Sequence, residues 1–296
     1  MRKGIIITLL CFQALMGSAL ADSLDAYPSL RESHDPGLQT GLEKTLKHLH
    51  LAHAVARGKL AVTLVDITDL EDPRVASVNG DEMIYAASLP KIAILLGAFV
   101  EIERGKMRLD DKTRASLTRM VRHSSNRDAT YMLNRVGKAR LAEILQSERF
   151  RLYDPLVNGG LWVGKDYGKA AAWKRDPLHH LSHGATAMQV ARFYYLLETE
   201  QLLAPRWCRE MKQILSHSGI HHKFVKGLDN KPGSRIYRKS GTWHQWHADS
   251  AIVERDGHRY ILVALAEDRH GGQWLVDLIS PLDDLIIPPR RIALAR

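Results

Sequence analysis

Leucines recur at positions 38, 42, 46 and 49 within residues 37–56. That spacing lays one apolar stripe along an amphipathic helix. The pattern then changes to short apolar and β-branched runs. Residues 59–67, KLAVTLVDI, and 81–87, DEMIYAA, read as two strands, and the link between them carries Pro73 and the turn-forming pair Asn79-Gly80. From Ser88 to about Ser216 the helical period dominates. Strand patterning returns at 234–243, 248–255 and 258–268, the last two joined by Asp256-Gly257, a pair suited to a tight hairpin. The closing stretch, 273–287, is amphipathic and predicts a helix broken near Pro281.

Helix, two strands, a helical block, three strands and a final helix imply an α/β (α+β) fold. Its antiparallel sheet is assembled from both ends of the chain and flanked by helices. Residues 22–87 with 217–296 form the expected sheet domain, and 88–216 an inserted all-helical domain. Ser88 falls at the first junction and Lys239 just beyond the second, where clefts tend to open.

The first 21 residues stand apart from this pattern. Arg2 and Lys3 precede an apolar run over 4–16 that is too short to span a bilayer, and Ala19-Leu20-Ala21 has the small-x-small form of a cleavage site. These features predict a signal peptide and a secreted or periplasmic protein without a stable membrane anchor. Forty-two Lys and Arg against 33 Asp and Glu give a formal charge of +9, which falls to +7 once Arg2 and Lys3 are removed. The charges are interspersed, so no nucleic-acid stripe is indicated. Of the two cysteines, Cys11 leaves with the leader, and Cys208 alone can form no internal disulfide.

Three short elements carry candidate chemistry. In IYAASLPKIAILLGAF, Ser88 and Lys91 lie three apart at a helix start, so they share a face, and a neutral amine there can accept the hydroxyl proton. The helix terminus adds a positive dipole end and the Ser88 N–H, suited to an oxyanion. Thirty-six residues on, Ser124, Ser125 and Asn126 interrupt two helical runs. In RKSGTWHQWHAD, Lys239, Ser240 and Gly241 end an alternating strand, and the glycine permits close approach of another backbone.

Taken in order, Ser-x-x-Lys, Ser-x-Asn and Lys-Ser-Gly resemble the signature of serine β-lactamases and penicillin-binding proteins, most closely the class A branch. HSSNRDATYMLNRVG and GATAMQVARFYYLLETEQLLAP extend the likeness, which covers roughly residues 37–287. The resemblance implies a β-lactamase/transpeptidase-like fold with Ser88 as acylated nucleophile, Lys91 as proton acceptor and Ser124 as donor to the leaving nitrogen. It implies that Asn126, Lys239 and Ser240 bind substrate beside Gly241. The N–H groups of Ser88 and Thr242 would form the oxyanion hole. No cofactor is implied, and the scattered histidines, among them His179, His180, His183, His221 and His222, lack the companion ligands of a metal site.

Two departures from the family pattern stand out. Ser125 occupies the place of an aspartate, and 149–168 contains no glutamate to activate a deacylating water, only Asp154 and Asp166. A slow second step is therefore expected. Substrate is expected to be a small β-lactam or a D-alanyl peptide. The activities consistent with this are β-lactam hydrolysis, a D-alanyl-D-alanine carboxypeptidase-like reaction, or slow-turnover penicillin binding. At least one of Trp243 and Trp246 should line the cleft, and Arg175 and Arg206 are candidate substrate contacts.

Overall fold

The computed structural model describes residues 27–288; the expected leader, 1–21, lies outside the described residues. Helix α1 (Pro36–His48) starts where the Asp35 carboxylate accepts from the Leu38 N–H at 2.6 Å and Pro36 occupies a position with no use for its missing N–H. It ends at Leu49; His50 turns into the left-handed region at φ 58°, and a short α2 (Ala52–Ala56) follows. The stretch expected as one helix is thus two, although Leu38, Leu42 and Leu46 are buried on one face as their spacing predicts.

Strands β1 (Leu60–Asp66), β2 (Arg74–Val78) and β3 (Ile84–Tyr85) come next, then helices α3 (Lys91–Glu103), α4 (Asp111–Arg122), α5 (Asn126–Val136) and α6 (Lys138–Gln146). Four short strands, β4 (Tyr153–Asp154), β5 (Gly159–Gly160), β6 (Trp162–Val163) and β7 (His183–Ala185), lead to α7 (Ala187–Glu198), α8 (Pro205–Leu215) and the single turn α9 (Phe224–Gly227). The chain closes with β8 (Arg235–Trp243), β9 (Trp246–Arg255), β10 (His258–Glu267) and α10 (Gly271–Ile286).

The main sheet runs β2-β1-β10-β9-β8, with every neighbouring pair antiparallel. The first two of these strands come from the N-terminal part of the chain and three from the C-terminal part, as the element order implies. Its two faces feed different cores. Leu60, Val62 and Leu64 of β1 pack with Leu42 of α1 and Leu278 of α10, whereas Ala61 and Val65 face the core that also holds Phe193 of α7 and Leu95 of α3. That second core is continuous between the sheet and the helices α3 to α8.

Two local expectations fail for identifiable reasons. The strand beside β1 is 74–78, in register Asp66 with Arg74, and 81–87 contributes only the two residues of β3, which pair with β7 in a separate small sheet. β2 is a half-exposed edge strand, so its RVASV sequence carries little apolar signal. Helix α10 runs through Pro281 without ending. Leu275, Leu278, Ile279, Leu282 and Ile286 bury one face, and that packing outweighs the one hydrogen bond proline removes.

Edge strand β8 has one partner, β9, and its other side meets the turn between β3 and α3. This junction positions the site.

Candidate active site

Ser88 lies on a tight turn. The Ala86 N–H donates to His183 O at 3.0 Å, tying the end of β3 to β7, and Ala87 then adopts φ 49°, a left-handed conformation unusual for a residue with a side chain. The backbone bonds Leu89 N to Ala86 O and Lys91 N to Ser88 O carry the chain into α3, with Pro90 at the cap. Ser88 is half-buried, and among the described residues its Oγ has no hydrogen-bond partner. Ser124 is also left-handed, at φ 55° in the loop between α4 and α5. Each left-handed residue costs about 1 kcal/mol, and such strain collects at functional positions.

Lys91 is the one charged residue in the buried stretch of α3 and has no exposed surface. Its Nζ donates to Ser124 O at 2.6 Å and Asn126 Oδ1 at 2.8 Å, and lies 3.3 Å from Ser124 Oγ. Lys239, buried on β8, donates to Ser124 Oγ at 3.0 Å and to Ser240 O at 2.7 Å. The Ser124 hydroxyl thus sits between two amines. Burial pushes Lys91 down to about 7, so near neutrality it offers a lone pair as readily as a proton. Burial, and then the charge of Lys91, push Lys239 well below its ordinary value. A substrate carboxylate beside Lys239 would reverse that shift by favouring the ammonium.

Gly241 is required sterically. A Cβ there would fall 2.2 Å from Ala86 O and 2.8 Å from Ser88 N, so only glycine lets β8 close on the nucleophile turn. Thr242 follows it at the cleft surface. The structure therefore brings Ser88, Lys91, Ser124, Asn126, Lys239, Gly241 and Thr242 together, with Ser240 behind them, where its Oγ lies 3.1 Å from His222 Nε2.

The aspartate missing at 125 is compensated from three residues away. Ser125 caps α5, and its Oγ donates to Asp128 Oδ2 at 2.6 Å; Asp128 also accepts from Ser116 Oγ at 2.8 Å and pairs with Arg119 at 2.6 Å, both on α4. Arg119 first, then the two hydroxyls, hold the Asp128 carboxyl far below the usual carboxylate range. The loop bearing Ser124 is pinned by this buried carboxylate.

A cleft of about 950 Å³ opens beside Ser88, Asn126 and Thr242. Trp243 and Trp246 both line it, Trp246 edge-on to Tyr85 with centroids 5.3 Å apart. Arg175 reaches the rim, whereas Arg206 stacks on Trp207 at 4.5 Å, away from it. Neither aspartate of the 149–168 segment lines the cleft. Asp154 pairs with Arg151 at 2.6 Å and caps a turn through Leu156 N, and Asp166 pairs with Lys138 at 2.8 Å.

Sequence reading missed a third buried amine. Lys223 donates to Gly241 O at 2.5 Å, Thr242 Oγ1 at 2.8 Å and Ala248 O at 3.1 Å, and burial lowers it to about 8. Its segment is held by the buried pair Arg238–Asp249, 2.6 Å apart; Arg238 also donates to Ile220 O, and Asp249 accepts from Phe224 N. Nothing in the local pattern around Lys223 distinguishes it from a solvated lysine.

Solved structures resemble this chain over about four-fifths of its length. The β-lactamase from Sphaerobacter thermophilus DSM 20745 superposes with a TM-score of 0.63 at 16% identity, covering 79% of this chain and 95% of that one. A mutant of PBP-A, described as an acyl-enzyme complex with penicillin G, gives 0.63 at 18%, covering 82% and 94%. An ancestral class A β-lactamase, GNCA, gives 0.62 at 18%, covering 80% and 98%. Identities this low establish the fold alone. No curated protein matches at the sequence level. The model of the β-lactamase enzyme family does match, over residues 42–117 and 113–286. Those overlapping segments run from within α1 to the end of α10, through both the helical block and the sheet, and on that extent the chain belongs to the β-lactamase enzyme family.

Proposed function

We propose that this protein is an exported serine hydrolase that opens β-lactam amides through an acyl-enzyme on Ser88. The observation that carries the reading is the Ser124 hydroxyl held between the Lys91 and Lys239 amines at the turn that bears Ser88. Neutral Lys91 takes the Ser88 Oγ proton, and Oγ bonds to the lactam carbonyl carbon. The N–H groups of Ser88 and Thr242 hold the oxyanion, which β8 can approach because residue 241 has no side chain. As the C–N bond breaks, the nitrogen receives a proton through Ser124, which is replenished from the adjoining amines. Lys239 meets the substrate carboxylate, and Asn126 holds the acyl amide. Export rests on the leader pattern of residues 1–21.

A second reading, slow-turnover capture of penicillin or of a D-alanyl peptide, is favoured by the position of Asp154 and Asp166 outside the cleft. PBP-A, a protein of the same fold, is described with penicillin G bound as an acyl-enzyme. Intact-protein mass spectrometry over time separates the two. Penicillin G, or a peptide ending in D-Ala-D-Ala, should add one equivalent to the wild type and none to Ser88→Ala. An adduct that forms equally on Ser88→Ala would overturn the assignment of the nucleophile.

A further inference from the structure

His183 and Tyr167 pose a chemical problem that the acylation machinery does not use. His183 is buried, yet neither ring nitrogen has a hydrogen-bond partner, and the buried Tyr167 hydroxyl has none either. Leaving such groups unpaired costs about 1–3 kcal/mol each, so an unpaired cluster calls for an occupant. Both residues line the cleft that contains Ser88.

Both are held by the elements that frame the reacting centre. Tyr167 is tied to α5, its N–H donating to Thr130 Oγ1 at 3.0 Å, and its ring lies under Lys91 Nζ at 4.6 Å. The His183 ring sits 4.3 Å from the Tyr167 ring, and the His183 carbonyl accepts from Ala86, two residues before Ser88. Lys91, Tyr167 and His183 therefore form a contiguous row beside the nucleophile. Burial keeps the Tyr167 hydroxyl protonated, so it serves as a donor. Burial, followed by the charge of Lys165, lowers His183 to about 3, so its ring is neutral and one nitrogen is an acceptor.

We propose that His183 and Tyr167 hold the hydrolytic water, and that His183 is the base that releases the acyl group from Ser88. This rests on the acyl-enzyme reading above and supplies the group that the missing glutamate leaves open. A small shift of either ring opens room for a water that donates to the free imidazole nitrogen and accepts from the Tyr167 hydroxyl. In the reaction its oxygen bonds to the acyl carbonyl carbon while one of its protons moves to His183. The bond from that carbon to Ser88 Oγ then breaks, and Oγ recovers the proton, leaving neutral His183, free Ser88 and a carboxylic acid. Water is the only co-reactant.

The test compares acylation and release by stopped-flow and intact mass, with penicillin G as probe, in the wild type, His183→Ala and Tyr167→Phe. In His183→Ala the acylation rate should stay within about threefold while the adduct lifetime lengthens about 100-fold or more, the scale of losing a general base. Tyr167→Phe should lengthen the lifetime by about fivefold, the scale of one lost hydrogen bond. If His183→Ala fails to fold, His183→Asn and Tyr167→Phe decide the matter by the same split. An unchanged lifetime, or acylation and release falling together, overturns the assignment of His183 alone. A wild type that forms no adduct on Ser88 overturns the acyl-enzyme reading, and this inference with it.

Discussion

Replacing Lys91 by methionine should make the protein lose activity and change the pH dependence of its stability in a calculable way. Lys91 has no exposed surface, and burial lowers it from 10.5 to about 7. Between those values the unfolded chain binds a proton there that the folded chain does not, so stability rises with pH through that window. The penalty is fully present below the folded value and is relieved as pH approaches the unfolded one. Linkage gives a penalty of about 4 kcal/mol at pH 7 and about 2 kcal/mol at pH 9. Methionine fills a similar volume and carries no such term. It leaves Ser124 O and Asn126 Oδ1 without their donor, a cost of about 1–3 kcal/mol that does not vary with pH and cancels in a comparison across pH. Lys239 remains buried in both proteins, so the part of its shift that comes from burial persists in both, and only the smaller part due to the Lys91 charge is lost in the variant. Urea unfolding of both proteins at pH 7 and pH 9 measures the difference. The wild type should gain about 2 kcal/mol on Lys91→Met over that interval. A stability difference that is constant with pH, or that moves in the variant's favour as pH rises, would show that Lys91 is not held near neutrality in the folded state and would remove it as the base.

Three other outcomes follow from the same geometry. The acylation rate should rise with pH through a midpoint near 7 as Lys91 loses its proton, and stopped-flow profiles that are flat from pH 5.5 to 8.5 would contradict this. Lys239→Ala should lower kcat/KM for a carboxylate-bearing β-lactam by about 2 kcal/mol, roughly 30-fold, and for its neutral ester far less; equal losses would make Lys239 a structural or proton-transfer group. Gly241→Ala puts a Cβ within 2.2 Å of Ala86 O, so β8 must withdraw from Ser88. Acylation should then fall about 100-fold, as for loss of an oxyanion donor, and retention of the native rate would mean that β8 takes no part in the reaction.

Much of the site was legible in the chain because its parts are local. Ser88 with Lys91, Ser124 with Asn126, and Lys239 through Thr242 each lie within four residues, and each falls where one periodicity gives way to another. The hairpin at Asp256-Gly257 was legible for the same reason, since both residues must adopt positive φ and their types permit it. The leucine stripe of α1 likewise dictated which face is buried.

Relations between distant segments were decided only by the folded chain. β2 and not 81–87 pairs with β1, because an edge strand half in solvent carries too little apolar pattern to announce itself. Helix α10 continues through Pro281 because a buried face supplies more than the lost hydrogen bond. Asp128, Lys223, Tyr167 and His183 look like ordinary surface or loop residues in sequence. Their significance comes from burial beside Ser125, Gly241, Lys91 and Ala86. Sequence spacing determines which side chains share a face of one helix or strand. Which faces meet across a hundred residues, and hence which amines lose their water and which hydroxyls lose their partners, is set by packing, and those losses tune the site.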